Sequence, residues 1–593
     1  MRKLGGLNVA CLAFVLCAAA TIASPAQTFT VLAKFGGSNG ASPDGALIQG
    51  TDGNFYGTTF SGGAYYFYGT VFKITPAGNL TTLYSFCAQS SCTDGESPYG
   101  GLVQGTDGNF YGTTYYGGAN ISACYSFPSY GCGTVFKITS AGKLTTLYSF
   151  CTQSACTDGL FPMAQLIQGI DGDFYGTTAQ GGANGAGTVF KITPGGLLTT
   201  IYSFCSKTNC ADGALPFSGL VQAANGKLYG TTAGGGISVS YCTFNGGFAC
   251  GTLFEITPRG KLTTLHTFCS VKNCPDGSSP VAGLIQDANG NLYGTTSGGG
   301  YLGPPNSICF DSGGCGTLFE IDSDGKLHTL HIFCTQRGCP DGTWPTAGLV
   351  QATDGNYYGT TSAGGNPNTC ELGCGTIFRI TSAGALTTVH WLINADGADP
   401  QAGLLQATSG AFYGTTSGEN GNYGWGTVFS LSAGLDPFVS FVRAIAKVGQ
   451  ATDILGQGFT GTTSVSFNGT AAAFKEKSDT YLKVTVPDGA TTGPVTVTTP
   501  GGTLTSNPVF RVRPQIFSFS PTSGPVGTPV TITGDSLTQT ALVAFGGART
   551  TNFVVNSDTE VTATVPTGAV TGYIGITTAG GKTWSEGVFT VTH

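Results

Sequence analysis

Charge is scarce in this sequence of 593 residues: Asp, Glu, Lys and Arg together make up 9% of it, against about a quarter in an ordinary globular chain. The 24 basic residues are outnumbered by 31 acidic ones, for a net charge of −7. No Lys/Arg cluster offsets that balance locally. Binding to phosphate backbones needs a basic surface, so nucleic acid is excluded as a partner. Histidine is rarer still, at 5 residues. No Ser/His/Asp constellation and no His-rich metal set can be assembled from them. Helical apolar spacing is missing throughout. Glycines follow turns with no helix behind them, which excludes a phosphate-cradling loop. Long apolar runs are missing beyond the N-terminus, so no membrane span is expected in the mature chain. The stretch from Leu7 to Ala20 follows Arg2 and Lys3 and precedes Ser24-Pro25-Ala26. It reads as a signal peptide, residues 1–26, cleaved before Gln27. Neither Cys11 nor Cys17 sits in a lipoprotein box, and Val588 to His593 reads as a strand, not a sorting tail.

What is abundant is glycine, at 96 residues, with Thr, Tyr and Phe throughout. That mix favours short strands and tight turns. Tyr-Gly-Thr-Thr occurs seven times, starting at Tyr56, Tyr111, Tyr175, Tyr229, Tyr293, Tyr358 and Tyr413. The spacing, 54 to 65 residues, suits a four-stranded propeller blade with room for long loops. The second repeat divides into strands a (Gly101 to Gln104), b (Asn109 to Thr114), c (Gly133 to Thr139) and d (Leu144 to Phe150). Asp107-Gly108 and its counterparts mark the a–b turn, where turn chemistry explains the carboxylates without calcium. The seventh repeat leaves the pattern after strand c, while Thr28 to Phe35 is a d strand without a repeat. Pairing the two closes a seven-bladed ring and removes its open edge.

Eighteen cysteines beyond residue 26 fall into nine local pairs. Five follow strand d: Cys87-Cys92, Cys151-Cys156, Cys205-Cys210, Cys269-Cys274 and Cys334-Cys339. Four lie between b and c: Cys124-Cys132, Cys242-Cys250, Cys309-Cys315 and Cys370-Cys374. Repeats that lack one member of a pair lack both, as disulfides require. Their loops hold no His for zinc. An oxidising compartment follows.

Antiparallel blades place the a–b and c–d turns on one face and the b–c and d–a loops on the other. All nine Cys pairs fall on the loop face, with the candidate binding residues Tyr65, Tyr66, Tyr68, Tyr115, Tyr116, Tyr125, Tyr130, Tyr241, Tyr301, Trp344, Tyr423 and Trp425. Rigid aromatics among Gly, Ser and Asn suit sugar rings or protein surfaces; packing of the loops on themselves is the other reading. His266, His331 and His390 replace the Tyr of strand d seen at Tyr84, Tyr148 and Tyr202, a structural exchange. Asp-Gly and a following Pro precede strand a in nearly every repeat, again as scaffold. Glu96, Glu371 and Glu419 are unique acids of the loop face. No catalytic residue, metal ligand or cofactor is assigned.

The a–b segments, as in Leu284-Ile285-Gln286-Asp287-Ala288-Asn289-Gly290-Asn291-Leu292-Tyr293-Gly294-Thr295, resemble two-component regulator propellers. With Gly-Thr-Val-Phe-Lys-Ile-Thr after them (Gly69 to Thr75, Gly133 to Thr139, Gly187 to Thr193), residues 27–432 resemble the GloVer tandem repeat of bacterial exported proteins. That resemblance implies export but no established activity. From about residue 436, alternating runs resemble two IPT/TIG domains, 436–512 and 513–593. Pro521-Thr522-Ser523-Gly524-Pro525 opens the second. These imply immunoglobulin-like sandwiches that act as spacers or adhesion modules. The expected whole is an all-β, monomeric, extracytoplasmic protein. Its loop face holds a glycan or protein without catalysis. A carbohydrate-active enzyme using carboxylates on that face, or a structural matrix component, are the alternatives.

Overall fold

A computed structural model describes residues 27–592 apart from 66, 121–123, 125–130, 237–249, 301–302, 304–308, 310–312, 367, 369, 371 and 419–423. Residues 28–432 form seven antiparallel sheets of four strands each, ordered a-b-c-d. Blade 2 is typical, with Val103–Gln104, Phe110–Thr114, Thr134–Ile138 and Leu144–Ser149. Blade 7 takes its outer strand from the N-terminus: Thr28–Lys34 pairs with Thr427–Ser432, from Thr28 opposite Ser432 to Lys34 opposite Thr427. The expected ring closure is therefore present.

The repeated tetrapeptide is explained by packing between blades. Strand b is buried along its whole length in every blade, so its polar groups need partners inside. The first Thr reaches the next blade: Thr58 Oγ1 donates to Gly100 O (3.0 Å) and Thr177 Oγ1 to Ser218 O (3.0 Å). The second Thr shares a hydrogen bond with the Thr that opens strand c, as Thr59 does with Thr70 at 2.8 Å. In four blades the Tyr hydroxyl donates to an Asp of the a–b turn, as Tyr111 does to Asp107 at 2.8 Å, and the Tyr111 ring stacks on Phe174 of the next blade. The Gly leaves room for strand c: a Cβ on Gly57 would lie 2.6 Å from the Phe72 ring. Thus the strongest motif in the sequence builds the scaffold.

Strand a ends in a glutamine that links neighbours. Oε1 of Gln104, Gln168, Gln222 and Gln406 accepts the backbone N–H of Thr51, Thr106, Ile170 and Thr353 in the preceding blade. Gln49 does the same for Thr408 across the ring closure. Gln286 accepts instead from Arg511 Nη2, at 3.3 Å, outside the ring.

Arg511 belongs to the first of two C-terminal sandwiches. This one pairs a sheet containing Ala451–Leu455 and Tyr481–Thr485 with one containing Ser464–Phe467 and Val495–Thr499. The second pairs a sheet containing Pro529–Asp535 and Glu560–Thr564 with a five-stranded sheet containing Gly572–Thr578 and Gly581–Val591. Each has its own apolar core. The first sandwich meets the turn face of the ring. Thr480 Oγ1 donates to Thr51 O (3.1 Å), Asn507 Nδ2 to Gln351 O (3.0 Å) and Thr408 Oγ1 to Gly456 O (3.4 Å). None of these contacts involves the loop face.

Candidate functional site at the ring seam

The chain segment entering strand a repeats one backbone shape. The residue before the recurring Pro is left-handed in all seven blades: Ser42, Ser97, Phe161, Leu215, Ser279, Trp344 and Asp399 have φ between +51° and +59°. Such a conformation is uphill for any residue but Gly. Hydrogen bonds on both sides hold it. The N–H of Asp399 donates to Cys374 O, just before strand c, and its carbonyl accepts from Ser417 N, just after strand b. Ser42 is held likewise by Trp425 O and Phe60 N. Residues either side of the Pro are thus aimed by a rigid loop, while their identity is free to vary.

Different residues meet where blades 6, 7, 1 and 2 come together. There the loop face opens into a cavity of about 790 Å³, lined by Asp44, Tyr99, Trp344, Asp399, Gln401, Ser417 and Trp425, with Phe60 and further serines. Ser417 of blade 7 donates to the Asp44 carboxylate of blade 1 across the ring closure. Gln401 Nε2 donates to Asp399 Oδ1 at 2.7 Å. Burial pushes the Asp44 carboxyl up to about 7, against the Ser417 hydrogen bond, and the nearby Asp399 adds to the rise. Asp399 is raised too, chiefly by burial. The Tyr99 hydroxyl is pushed up to about 12 by burial and then by Asp44 and Asp399. Two carboxylates and a phenol therefore share one desolvated pocket at the seam. The equivalents of Asp44 in the other blades are Tyr99, Met163, Phe217, Val281, Thr346 and Gln401. Comparing the residues after the Pro would have marked Asp44; attention to the Asp-Gly before it missed the site.

The sequence-based candidates divide. Trp344 and Trp425 line the cavity. The Trp344 Nε1–H donates to Gly314 O at 3.3 Å, and Trp425 is 49% exposed. Tyr115 and Tyr116 pack edge to face on each other and both against Phe161 of blade 3, so they brace the loops of blades 2 and 3. Tyr65 is 48% exposed, and Tyr68 packs against the core of blades 1 and 2. Tyr66, Tyr125, Tyr130, Tyr241, Tyr301 and Tyr423 lie outside the described residues, as do Cys242, Glu371 and Glu419. Eight disulfides join the pairs from Cys87–Cys92 to Cys370–Cys374 other than that of Cys242. Cys370 lines the cavity.

Glu96, expected on the loop face, is instead fully buried. Among the described residues, neither of its carboxylate oxygens has a hydrogen-bond partner. Burial, then Asp94, pushes its carboxyl up to about 8. The histidines of strand d serve the scaffold: His266, His331 and His390 meet Asp276, Asp341 and Asp396 at 2.8–2.9 Å. Tyr84, Tyr148 and Tyr202 meet Asp94, Asp158 and Asp212 in the same places.

The model of the Gloeobacter/Verrucomicrobia repeat matches residues 19–128, 123–304 and 238–473. The chain belongs to that repeat family. Within this family member, the IPT/TIG domain is matched twice more, at 439–512 and 514–591. No curated protein matches. Among solved structures, a fungal alcohol oxidase of the AA5 family, in complex with copper, is 12% identical with a TM-score of 0.45, over 81% of this chain and 98% of that one. The extracellular domain of a protein described as a hybrid two component system from B. thetaiotaomicron is 12% identical, TM-score 0.41, over 95% and 58%. A surface glycan-binding protein from Prevotella bryantii is 21% identical, TM-score 0.20, over 25% of this chain and 38% of that one. Likenesses at this level carry no argument about activity.

Proposed function

We propose that this chain is an exported binding protein that takes a glycan in the seam cavity of its loop face. One observation carries the reading: two indole rings, a phenol and a phenyl ring line the same cavity as Asp44, Asp399, Gln401 and serine hydroxyls. Aromatic faces stack on the C–H faces of sugar rings, and carboxylates and amides accept and donate to their hydroxyls. The first sandwich contacts the turn face, so the loop face stays open to a large ligand. The disulfides suit an oxidising compartment, and the N-terminal segment reads as an export signal.

The test is affinity electrophoresis of residues 27–593 through soluble polysaccharides, with release of new reducing ends scored in the same samples. Retention that is lost in Trp344→Ala and Trp425→Ala is the expected result. Protein that migrates unretarded through every polysaccharide would sink the glycan reading. The Asp44–Asp399 pair supports a second reading, a glycoside hydrolase or lyase, since two carboxyls with raised affinity for protons serve acid–base chemistry. New reducing ends, or unsaturated products for a lyase, would establish it.

A further inference from the structure

The seam cavity is unbalanced in charge. Among the described residues, its lining holds two carboxylates and no Lys, Arg or His. Each carboxylate has one described side-chain donor, Ser417 for Asp44 and Gln401 for Asp399. A carboxylate accepts about four hydrogen bonds, so acceptor capacity is left over in a partly desolvated site. That arrangement is costly until something brings donors or positive charge.

The imbalance is local to the seam. Around the ring, the residues flanking the recurring Pro in blades 3 to 5 are Phe161, Met163, Leu215, Phe217, Ser279 and Val281. Carboxylates flank the Pro only at Asp44, after it, and Asp399, before it, in the two blades joined by ring closure. Beside them stand the faces of Trp344, Trp425 and Tyr99, the groups that attract an organic cation through their quadrupoles. A dehydrated calcium ion wants six or more oxygens; an aromatic lining suits an ammonium instead.

We infer that the seam cavity selects a glycan bearing free amines, with the ammonium held by Asp44 and Asp399 beside the aromatic faces of Trp344, Trp425 and Tyr99. This rests on the seam cavity being the binding site. Anionic sugars are repelled by the same pair, and an N-acetylated sugar cannot supply the charge.

The experiment titrates residues 27–593, near neutral pH, with a β-1,4 glucosamine oligomer, its N-acetylated counterpart and the matching glucose oligomer. The free-amine oligomer is expected to bind about tenfold or more tighter than the other two. In Asp44→Asn with Asp399→Asn, the three oligomers bind alike. Each single Asn variant, checked for an unchanged melting curve, loses part of the preference. Equal affinity of the wild type for all three oligomers would overturn the inference and leave the glycan reading standing. Persistence of the preference in the double variant would overturn it too. Saturable binding of calcium alone that blocks the amine oligomer would assign the pair to a metal instead. Absence of binding by all three oligomers, with no retention by any polysaccharide, would remove the glycan reading and the inference together.

Discussion

Blades 3 to 5 and the seam blades 6, 7, 1 and 2 are built from one repeat, yet only at the seam do carboxylates flank the recurring Pro. In both arcs the Gly of strand b makes room for strand c and its second Thr bonds the Thr that opens strand c. In both, the residue before the Pro is left-handed. The difference lies in which side chains that shared backbone presents: Phe161, Met163 and Phe217 on one side, Asp44, Tyr99, Asp399 and Gln401 on the other. Repetition marks what holds the ring together, and departure from repetition marks where it does something particular.

The largest effect should separate the two arcs by binding. Trp344→Ala or Trp425→Ala is expected to weaken glycan binding by about 10- to 100-fold, the range of a buried aromatic anchor, whereas Phe217→Ala stays within about threefold. Isothermal titration decides it, and equal losses on both arcs would erase the distinction. Next is Glu96, a seam-side acid that blade 3 replaces with Leu160. Its carboxyl titrates near 8 in the fold and lower when unfolded. The proton it retains favours the fold fully at low pH, and that contribution is lost as pH rises towards 8. Glu96→Gln should therefore gain stability over the wild type as pH increases, by about 1–3 kcal/mol at the alkaline end, read by denaturant melts.

Asp44 follows the same sign with a smaller amplitude, because it is only partly buried. With its carboxyl raised to about 7, the wild type should lose about 1–2 kcal/mol relative to Asp44→Asn between pH 5 and 8. A flat difference across that range would mean that Asp44 is solvated. The smallest effect tests the sameness of the arcs. Thr415→Val removes a bond to Pro43 O across the ring closure (2.7 Å), and Thr177→Val removes one to Ser218 O far from it (3.0 Å). Each should cost about 0.5–1.5 kcal/mol, and alike. A much larger loss at Thr415 would show the closure to be a weak joint.

The fold was largely legible because it is written seven times: Tyr-Gly-Thr-Thr, the Asp-Gly turns and the paired cysteines each recur at matched places. The outer strand of blade 7 was legible for the same reason, since Thr28 to Phe35 has the pattern of a d strand and no repeat of its own. The site was legible only in part. Trp344 and Trp425 stood out as rare, large side chains in loops. Tyr115 and Tyr116 stood out equally, yet both pack on Phe161, a residue one blade away. Glu96 stood out as a unique acid, yet the loop turns it inward.

Sequence alone determined the blade count, the strand order, the closure and the partners of the eight described disulfides, because these follow from short-range pattern and from pairing rules that repeat. Only the tertiary structure decided that Asp44, near one end of the ring's chain, meets Asp399 and Ser417, near the other. Closing the ring brings residues more than 350 positions apart into one cavity. It also decided which aromatics face that cavity, because the direction of a loop side chain depends on the neighbouring blade against which it packs.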